Sequence, residues 1–166
     1  MIRVGIITIS DRSFRGERDD LSGPALANRV KSAGFCVVST TILADELDQI
    51  KSCLIEWCDS GNFDLILTTG GTGFAPRDIT PEATLAVLEK SAPGIAEAMR
   101  AQSLKITPHA MLSRQQAGIR KKTLIINLPG SPKGAVENLE VVLPVIPHAI
   151  ELLQENPAAE KGHQKT

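Results

Sequence analysis

The run Thr68-Thr69-Gly70-Gly71-Thr72-Gly73-Phe74-Ala75-Pro76-Arg77-Asp78-Ile79-Thr80-Pro81 limits what this chain can fold into. It starts where the apolar stretch Leu65-Ile66-Leu67 stops and ends where a helical pattern begins, so it reads as the loop between a strand and a helix. The stretch Arg3-Val4-Gly5-Ile6-Ile7-Thr8-Ile9 is β-branched and apolar enough for a strand buried on both faces. Lys122-Thr123-Leu124-Ile125-Ile126-Asn127-Leu128 is a further strand, and Pro129-Gly130-Ser131-Pro132 repeats the scheme of a strand ending in a turn before a helix. The expected fold is therefore α/β, a three-layer α/β/α arrangement with a mainly parallel central sheet. Open sheets of this kind bind ligands at the carboxyl ends of their strands, where the glycine loop lies.

The rest of the chain fits that frame. Residues 10–21 are polar and form a long loop on the ligand edge; Ser22 is expected to cap a helix that carries Leu26 and Val30 inward and stops at Gly34. Residues 35–43 read as the second strand, and Asp45 opens a helix with Ile50, Leu54, Trp57 and Cys58 on one apolar face. Thr80 is expected as an N-cap with Pro81 at the first helical position, and Ala83, Val87 and Leu88 inward. A helix over residues 95–104 is expected to pack through Ala96, Met99 and Leu104, and residues 105–120 to be irregular with a short extended piece. Pro144 and Pro147 divide residues 136–153 into two short helices or one kinked helix. One domain over residues 1–155 and a polar, frayed tail over 156–166 are expected.

Composition removes several function classes. The net charge of -1 gives no general polyanion-binding surface, and an aromatic content of 3%, with no tyrosine, removes the stacking platforms of single-strand binders, so nucleic acid is not an expected partner. Three cysteines without a C-x-x-C pair signal neither a disulfide framework nor a zinc site, and a reducing cytoplasmic location fits them. No apolar stretch approaches a membrane span, and the N-terminus runs into a strand without a signal-peptide pattern. Cys53 and Cys58 fall in a helical pattern and read as small buried hydrophobes. The histidines, His109, His148 and His163, form neither a Ser/His/Asp triad nor a metal-ligand spacing.

Three glycines in four positions let the backbone turn tightly and free N–H groups to hold an anion, phosphate above all. The loop matches neither G-x-x-x-x-G-K-[ST] nor G-x-G-x-x-G, which disfavours an ordinary kinase, ATPase or dinucleotide dehydrogenase. From the glycines alone, a turn without a ligand is the alternative. Asp78 changes the balance, because a carboxylate beside a phosphate cradle repels the anion unless a cation such as Mg²⁺ intervenes; Arg77 could serve the anion directly. Asp45 follows a strand, where it can cap the helix, face the cleft, or do both.

These residues carry a resemblance. The glycine loop, together with Ser10-Asp11, Asp20-Leu21-Ser22-Gly23, Asp45-Glu46, Ser103-Leu104-Lys105-Ile106-Thr107-Pro108, Met111-Leu112-Ser113-Arg114 and Asn127-Leu128-Pro129-Gly130-Ser131-Pro132-Lys133-Gly134, resembles the Mog-type molybdopterin adenylyltransferase family (MoaB/Mog), which includes the G domains of gephyrin and its plant counterpart. The resemblance implies transfer of AMP from ATP to the terminal phosphate of molybdopterin, with release of pyrophosphate. It implies Asp45 and Asp78 as catalytic residues at Mg²⁺, and Gly70, Gly71, Thr72 and Gly73 at the nucleotide, with Asn127, Pro129 and Gly130 completing the nucleotide wall. It implies Ser103, Ser113 and Arg114 on the molybdopterin side, although Ser113 could equally cap local backbone and Arg114 could make an internal ion pair. A homotrimer, and a molybdate-inserting partner protein or domain, follow from the same resemblance. The rival readings are a pterin-binding or scaffold domain without adenylyl transfer and a dinucleotide pyrophosphatase on the same fold. The polar loop over residues 13–20 varies in the family and leaves the roles of Asp11 and Asp20 open.

Overall fold

The apolar stretches pair into one six-stranded sheet, described with its helices in a computed structural model over residues 1–155; the tail expected over 156–166 lies outside the described residues. The strands are β1 (Arg3–Ile9), β2 (Cys36–Leu43), β3 (Leu65–Thr69), β4 (Lys90–Ser91), β5 (Ala117–Arg120) and β6 (Thr123–Leu128), in the spatial order β2-β1-β3-β6-β5-β4. β2, β1, β3 and β6 are parallel, whereas β5 and β4 run antiparallel at the far edge. The central strand β3 is buried at every position, as its unbroken apolar run requires.

Helices cover both faces. α2 (Ser22–Ser32), α5 (Pro93–Leu104), α6 (Pro132–Val142) and α7 (Ile146–Leu153) bury Leu26, Met99, Leu139 and Ile150 against Val4, Ile6, Leu65, Leu67 and Ile126. On the opposite face α3 (Leu47–Asp59) and α4 (Thr80–Val87) bury Ile50, Leu54, Ala83 and Val87 against Ile7, Ile66 and Ile125. Successive strand residues thus feed opposite cores, as a period of two demands. The prolines near the C-terminus give two helices, with the break at Leu143-Pro144-Val145.

Several local expectations give way to tertiary contacts. The loop over residues 10–21 contains a short helix, α1 (Asp11–Phe14), capped by Ser10, whose Oγ accepts from Ser13 N at 3.3 Å. Ser22 does not cap α2: the Asp20 carboxylate takes the N–H groups of Ser22 and Gly23, both at 3.0 Å, and the Thr8 hydroxyl at 2.8 Å. Asp45 is not the α3 cap, which is Glu46, and Thr80 is the first residue of α4 with its hydroxyl engaged elsewhere. Leu104 is 40% exposed, because α5 ends there and its core contacts are made by Ala96 and Met99. Within residues 105–120 a 3₁₀ turn (Pro108–Leu112) precedes β5.

Candidate active site

β1 has β2 on one side and β3 on the other, so the chain leaves β1 and returns after β2 on opposite sides of it. Loops diverge at such a switch point and leave a crevice at the carboxyl ends of the strands. A cleft of about 410 Å³ lies there, lined among others by Asp11, Asp45, Gly70, Gly71, Asp78 and Gly130.

The shape of the cleft comes from the glycine loop being fastened by its carbonyl oxygens. The Thr80 hydroxyl donates to Gly70 O at 2.9 Å and Thr80 N to Gly71 O at 3.1 Å. The Thr69 hydroxyl donates to Pro129 O and the Ser22 hydroxyl to Gly130 O, both at 2.6 Å, which brings the turn after β6 alongside. Gly70 has φ +101°, and a Cβ there would overlap the Ile9 carbonyl, so only glycine fits. With the carbonyls occupied, the N–H groups of Gly71, Thr72 and Gly73 are left without an acceptor among the described residues. A row of unpaired amides in a concave turn is an anion site. An anion entering the cleft would meet the loop amides, because the first turn of α4 is drawn back onto the loop by the Thr80 N–Gly71 O hydrogen bond.

Carboxylates face these amides. Asp11 and Asp45 exchange hydrogen bonds, Asp11 N donating to Asp45 Oδ2 at 2.9 Å and Asp45 N to Asp11 Oδ1 at 3.1 Å. Arg77 does not face the cleft anion: it pairs with Asp11 and with Glu46 (2.7 Å) and donates to Asp45 O at 3.0 Å. That guanidinium holds the Asp11 carboxyl below the ordinary aspartate range. Burial, with the negative charges of Asp11 and Asp78, pushes Asp45 the other way. Asp78 accepts from Ala75 N at 3.0 Å and lines the same cleft. Arg12 and Arg18 add positive charge to its wall.

A second pocket of about 450 Å³ opens on the other side of the glycine loop. Thr72, Gly73 and Pro129 line it, as do Ser103 and Ser113. The two cavities thus share one dividing wall, with Gly70, Gly71 and Gly130 on one side and Thr72, Gly73 and Pro129 on the other.

Two expected site residues are used differently. Asn127 is fully buried, donating to the Thr68 (2.9 Å) and Thr84 (2.8 Å) hydroxyls and accepting from Gln116 N (3.2 Å), so its side chain ties β3, α4 and β6 together and forms no nucleotide wall. Arg114 pairs with Glu82 and donates to Gly73 O at 2.7 Å and Asp78 O at 2.6 Å. It is the internal ion pair, a strut holding the glycine loop from behind. Sequence reasoning missed Arg100, Gln115 and Asn138 in the second pocket and the capping by Asp20; for Asp20 the signal was an aspartate two residues before the first helical residue.

Fold and cleft together define an α/β protein whose crevice sets a glycine loop with free backbone amides beside acidic side chains, with a second pocket across the loop. Residues 5–148 match the family described as a probable molybdopterin binding domain, and the chain belongs to that family. It is 49% identical to a molybdopterin adenylyltransferase of Helicobacter pylori strain J99, over 93% of this chain and 89% of that protein. It is 46% identical to the molybdopterin adenylyltransferase of Escherichia coli K12, over 85% and 73%. The solved structure of the molybdopterin biosynthesis enzyme MoaB from Thermus thermophilus superimposes with a TM-score of 0.89 at 53% identity, covering 95% of this chain and 99% of that one.

Proposed function

We propose that this chain is a molybdopterin adenylyltransferase that transfers AMP from ATP to the terminal phosphate of molybdopterin, acting within molybdenum cofactor biosynthesis. The observation that carries the reading is the pair of cavities sharing one wall of unpaired amides, with Asp45 and Asp78 on one side of it. Two substrates held on either side of a phosphate-binding wall meet at that wall. The relatives named as molybdopterin adenylyltransferases support the same substrates.

The chemistry asks little covalent work of the protein. The molybdopterin phosphate attacks the α-phosphorus of ATP in line, the bond to the bridging oxygen breaks, and pyrophosphate leaves; a phosphate oxygen is already a nucleophile, so no strong base is needed. Gly70, Gly71, Thr72 and Gly73, with Pro129 and Gly130, position the nucleotide phosphates, and the loop amides face the charge that spreads over the transferring group. Arg12 and Arg18 offset the charge of the leaving pyrophosphate. Ser103 and Ser113 lie on the molybdopterin side.

Mg²⁺ fits this donor set. It is commonly bound through one or two carboxylates plus substrate phosphates rather than by an all-protein cage, and two carboxylates, Asp45 and Asp78, line the cleft beside the glycine loop. Asp45 and Asp78 would hold it; burial raises Asp45 most, and an ion there would also relieve the repulsion from Asp11 and Asp78 that adds to it. When bound, it would supply neutralising charge to the nucleotide phosphates.

The reading carries one domain over residues 1–155 and, from the family resemblance, a cytoplasmic homotrimer, with a molybdate-inserting protein or domain as the next partner; sedimentation of the purified protein tests the trimer. Incubation with molybdopterin, ATP and Mg²⁺ should give adenylyl-molybdopterin and pyrophosphate in equal amounts. Tight molybdopterin binding without either product would instead favour a pterin-binding scaffold.

A further inference from the structure

Among the described residues, two buried side-chain polar atoms have no hydrogen-bond partner, Gln115 Oε1 and Ser113 Oγ, and both residues line the second pocket. Folded proteins pair nearly all such groups, so two orphans in one cavity call for an explanation. Gln115 is only 1% exposed, and solvent does not provide it.

The orientation of Gln115 is dictated by a chain of neighbours. Asn138 Nδ2 donates to Gly134 O at 2.8 Å and to Ser103 Oγ at 3.2 Å. A carbonyl can only accept, so the Asn138 nitrogen must face it and Oδ1 must face Gln115. Oδ1 accepts from Gln115 Nε2 at 3.1 Å, which consumes the amino end of that amide and leaves Oε1 as an acceptor without a donor. Arg100 fixes the backbone on either side, donating to Ser113 O at 3.0 Å and Gln115 O at 3.3 Å. The residues lining the pocket therefore include a preoriented, uncharged acceptor and a second unpaired hydroxyl, together with the exposed apolar side chains of Ile106 and Leu112.

We propose that Gln115 is a specificity-determining residue of this pocket: its Oε1 accepts a hydrogen bond from an N–H donor edge of a planar heterocycle, and the Ser113 hydroxyl makes the second contact. The 2-amino group and N3–H of a 2-amino-4-oxo pterin form such an edge. An uncharged acceptor suits a neutral ring, and apolar side chains suit its faces. Asn138 and Ser103 act through Gln115 as positioning residues. The inference rests on reading this pocket as the molybdopterin side.

Gln115→Met keeps the length of the side chain and removes the acceptor together with the Nε2 donor to Asn138 Oδ1, so the comparison of ring analogues, not the KM alone, isolates the acceptor. It should raise the KM for molybdopterin about tenfold, while kcat and the KM for ATP stay within about twofold. Ser113→Ala removes a hydroxyl that bonds to nothing in the protein, so it should raise the same KM about threefold without lowering the unfolding temperature. Binding of 6-hydroxymethylpterin is then compared with that of its analogue methylated at the 2-amino group and N3. The unmodified protein should prefer the donor-bearing ring about tenfold, and Gln115→Met should lose that preference. An analogue rejected by bulk alone would be rejected equally by Gln115→Met, which overturns the proposal, as does an unmodified protein that binds both rings alike. Should Gln115→Met fail to fold, an unchanged KM in Ser113→Ala together with equal binding of the two rings overturns it. Adenylyl transfer with unchanged KM values in both variants rejects this inference alone; absence of any product from the unmodified protein rejects the functional reading and this inference with it.

Discussion

Asp45 and Asp64 stand at opposite edges of the same sheet, Asp45 just past the end of β2 and Asp64 just before the start of β3. Asp64 is almost fully satisfied. It accepts from the Arg3 backbone (2.8 Å), from the Arg3 guanidinium (2.8 and 3.1 Å) and from Gln154 (3.1 Å). Burial alone would raise its carboxyl, but the Arg3 hydrogen bonds outweigh burial and the net shift is downward. Asp45 is half-buried, has two carboxylates for neighbours and, among the described residues, a single hydrogen-bond donor, Asp11 N, to its side chain, and its carboxyl is shifted upward. The fold can neutralise a buried acid, and does so where only stability is at stake. At the cleft edge the Asp11 N–H and the Arg77 guanidinium offset the Asp45 charge only in part, and burial with the neighbouring carboxylates outweighs them, which is the arrangement expected of a site that completes itself with a ligand.

The strongest way to break this contrast is at the cleft. Asp45→Asn and Asp78→Asn should each lower adenylyl transfer by about 10²–10³-fold, the loss typical of removing one electrostatic contact to a transition state. Folding should respond in the opposite sense at Asp45. Its folded pKa is raised, so the ionised group weakens the fold as pH rises through that value, and Asp45→Asn should hold or raise the unfolding temperature at pH 7.

Glycines at the two edges give the next largest effect. Gly70→Ala forces a side chain onto a positive φ and into the Ile9 carbonyl, and should destabilise by about 3 kcal/mol or more. Gly61, at the other edge with φ +70° and nothing within 4 Å of a Cβ, should lose only about 1 kcal/mol on the same change, measured by urea unfolding.

Asp64→Asn should leave activity intact and destabilise by about 1–3 kcal/mol, toward the lower end because the Arg3 side chain is 43% exposed and can be solvated once released. The folded Asp64 pKa lies below the unfolded value of about 3.9, so its contribution is present above about pH 4 and disappears as pH falls through the folded pKa. Acid unfolding followed by circular dichroism should accordingly be flatter in Asp64→Asn.

The smallest effect concerns the thiols. Burial pushes Cys53 and Cys58 up to about 11, while Cys36 is exposed at the start of β2. At pH 8, one thiol per native chain should react quickly with an alkylating reagent, and three after denaturation.

What the sequence made legible was what neighbouring residues decide. The strands at Arg3–Ile9 and Thr123–Leu128 declared themselves by unbroken apolar runs, and the glycine loop by its own spacing. The turn at Pro129-Gly130-Ser131-Pro132 leads into a helix as its scheme implied, with Ser131 capping α6 by accepting from Gly134 N at 3.1 Å. Ser22 and Thr80 looked equally like caps, but carbonyls brought close by folding compete for their hydroxyls: Gly130 lies 108 positions away from Ser22 in the chain. Asp11 and Asp45, 34 positions apart, become partners only when β1 and β2 pair. Gln115 looked like an ordinary polar residue in an irregular segment, and its orphaned oxygen is visible only once Asn138 of α6 has claimed its other end. β4 was too short to show any period.

The most direct test of the account measures unfolding temperature without ligands, and adenylyl transfer with ATP, Mg²⁺ and molybdopterin, for Asp45→Asn and Asp64→Asn side by side. The account predicts a crossover: Asp45→Asn as stable as the unmodified protein or more so but about 10²–10³-fold slower, and Asp64→Asn less stable but comparably active per folded molecule. An Asp45→Asn protein that keeps full activity, or that loses activity only in proportion to lost stability, would contradict the assignment of the cleft as the place where phosphate chemistry occurs.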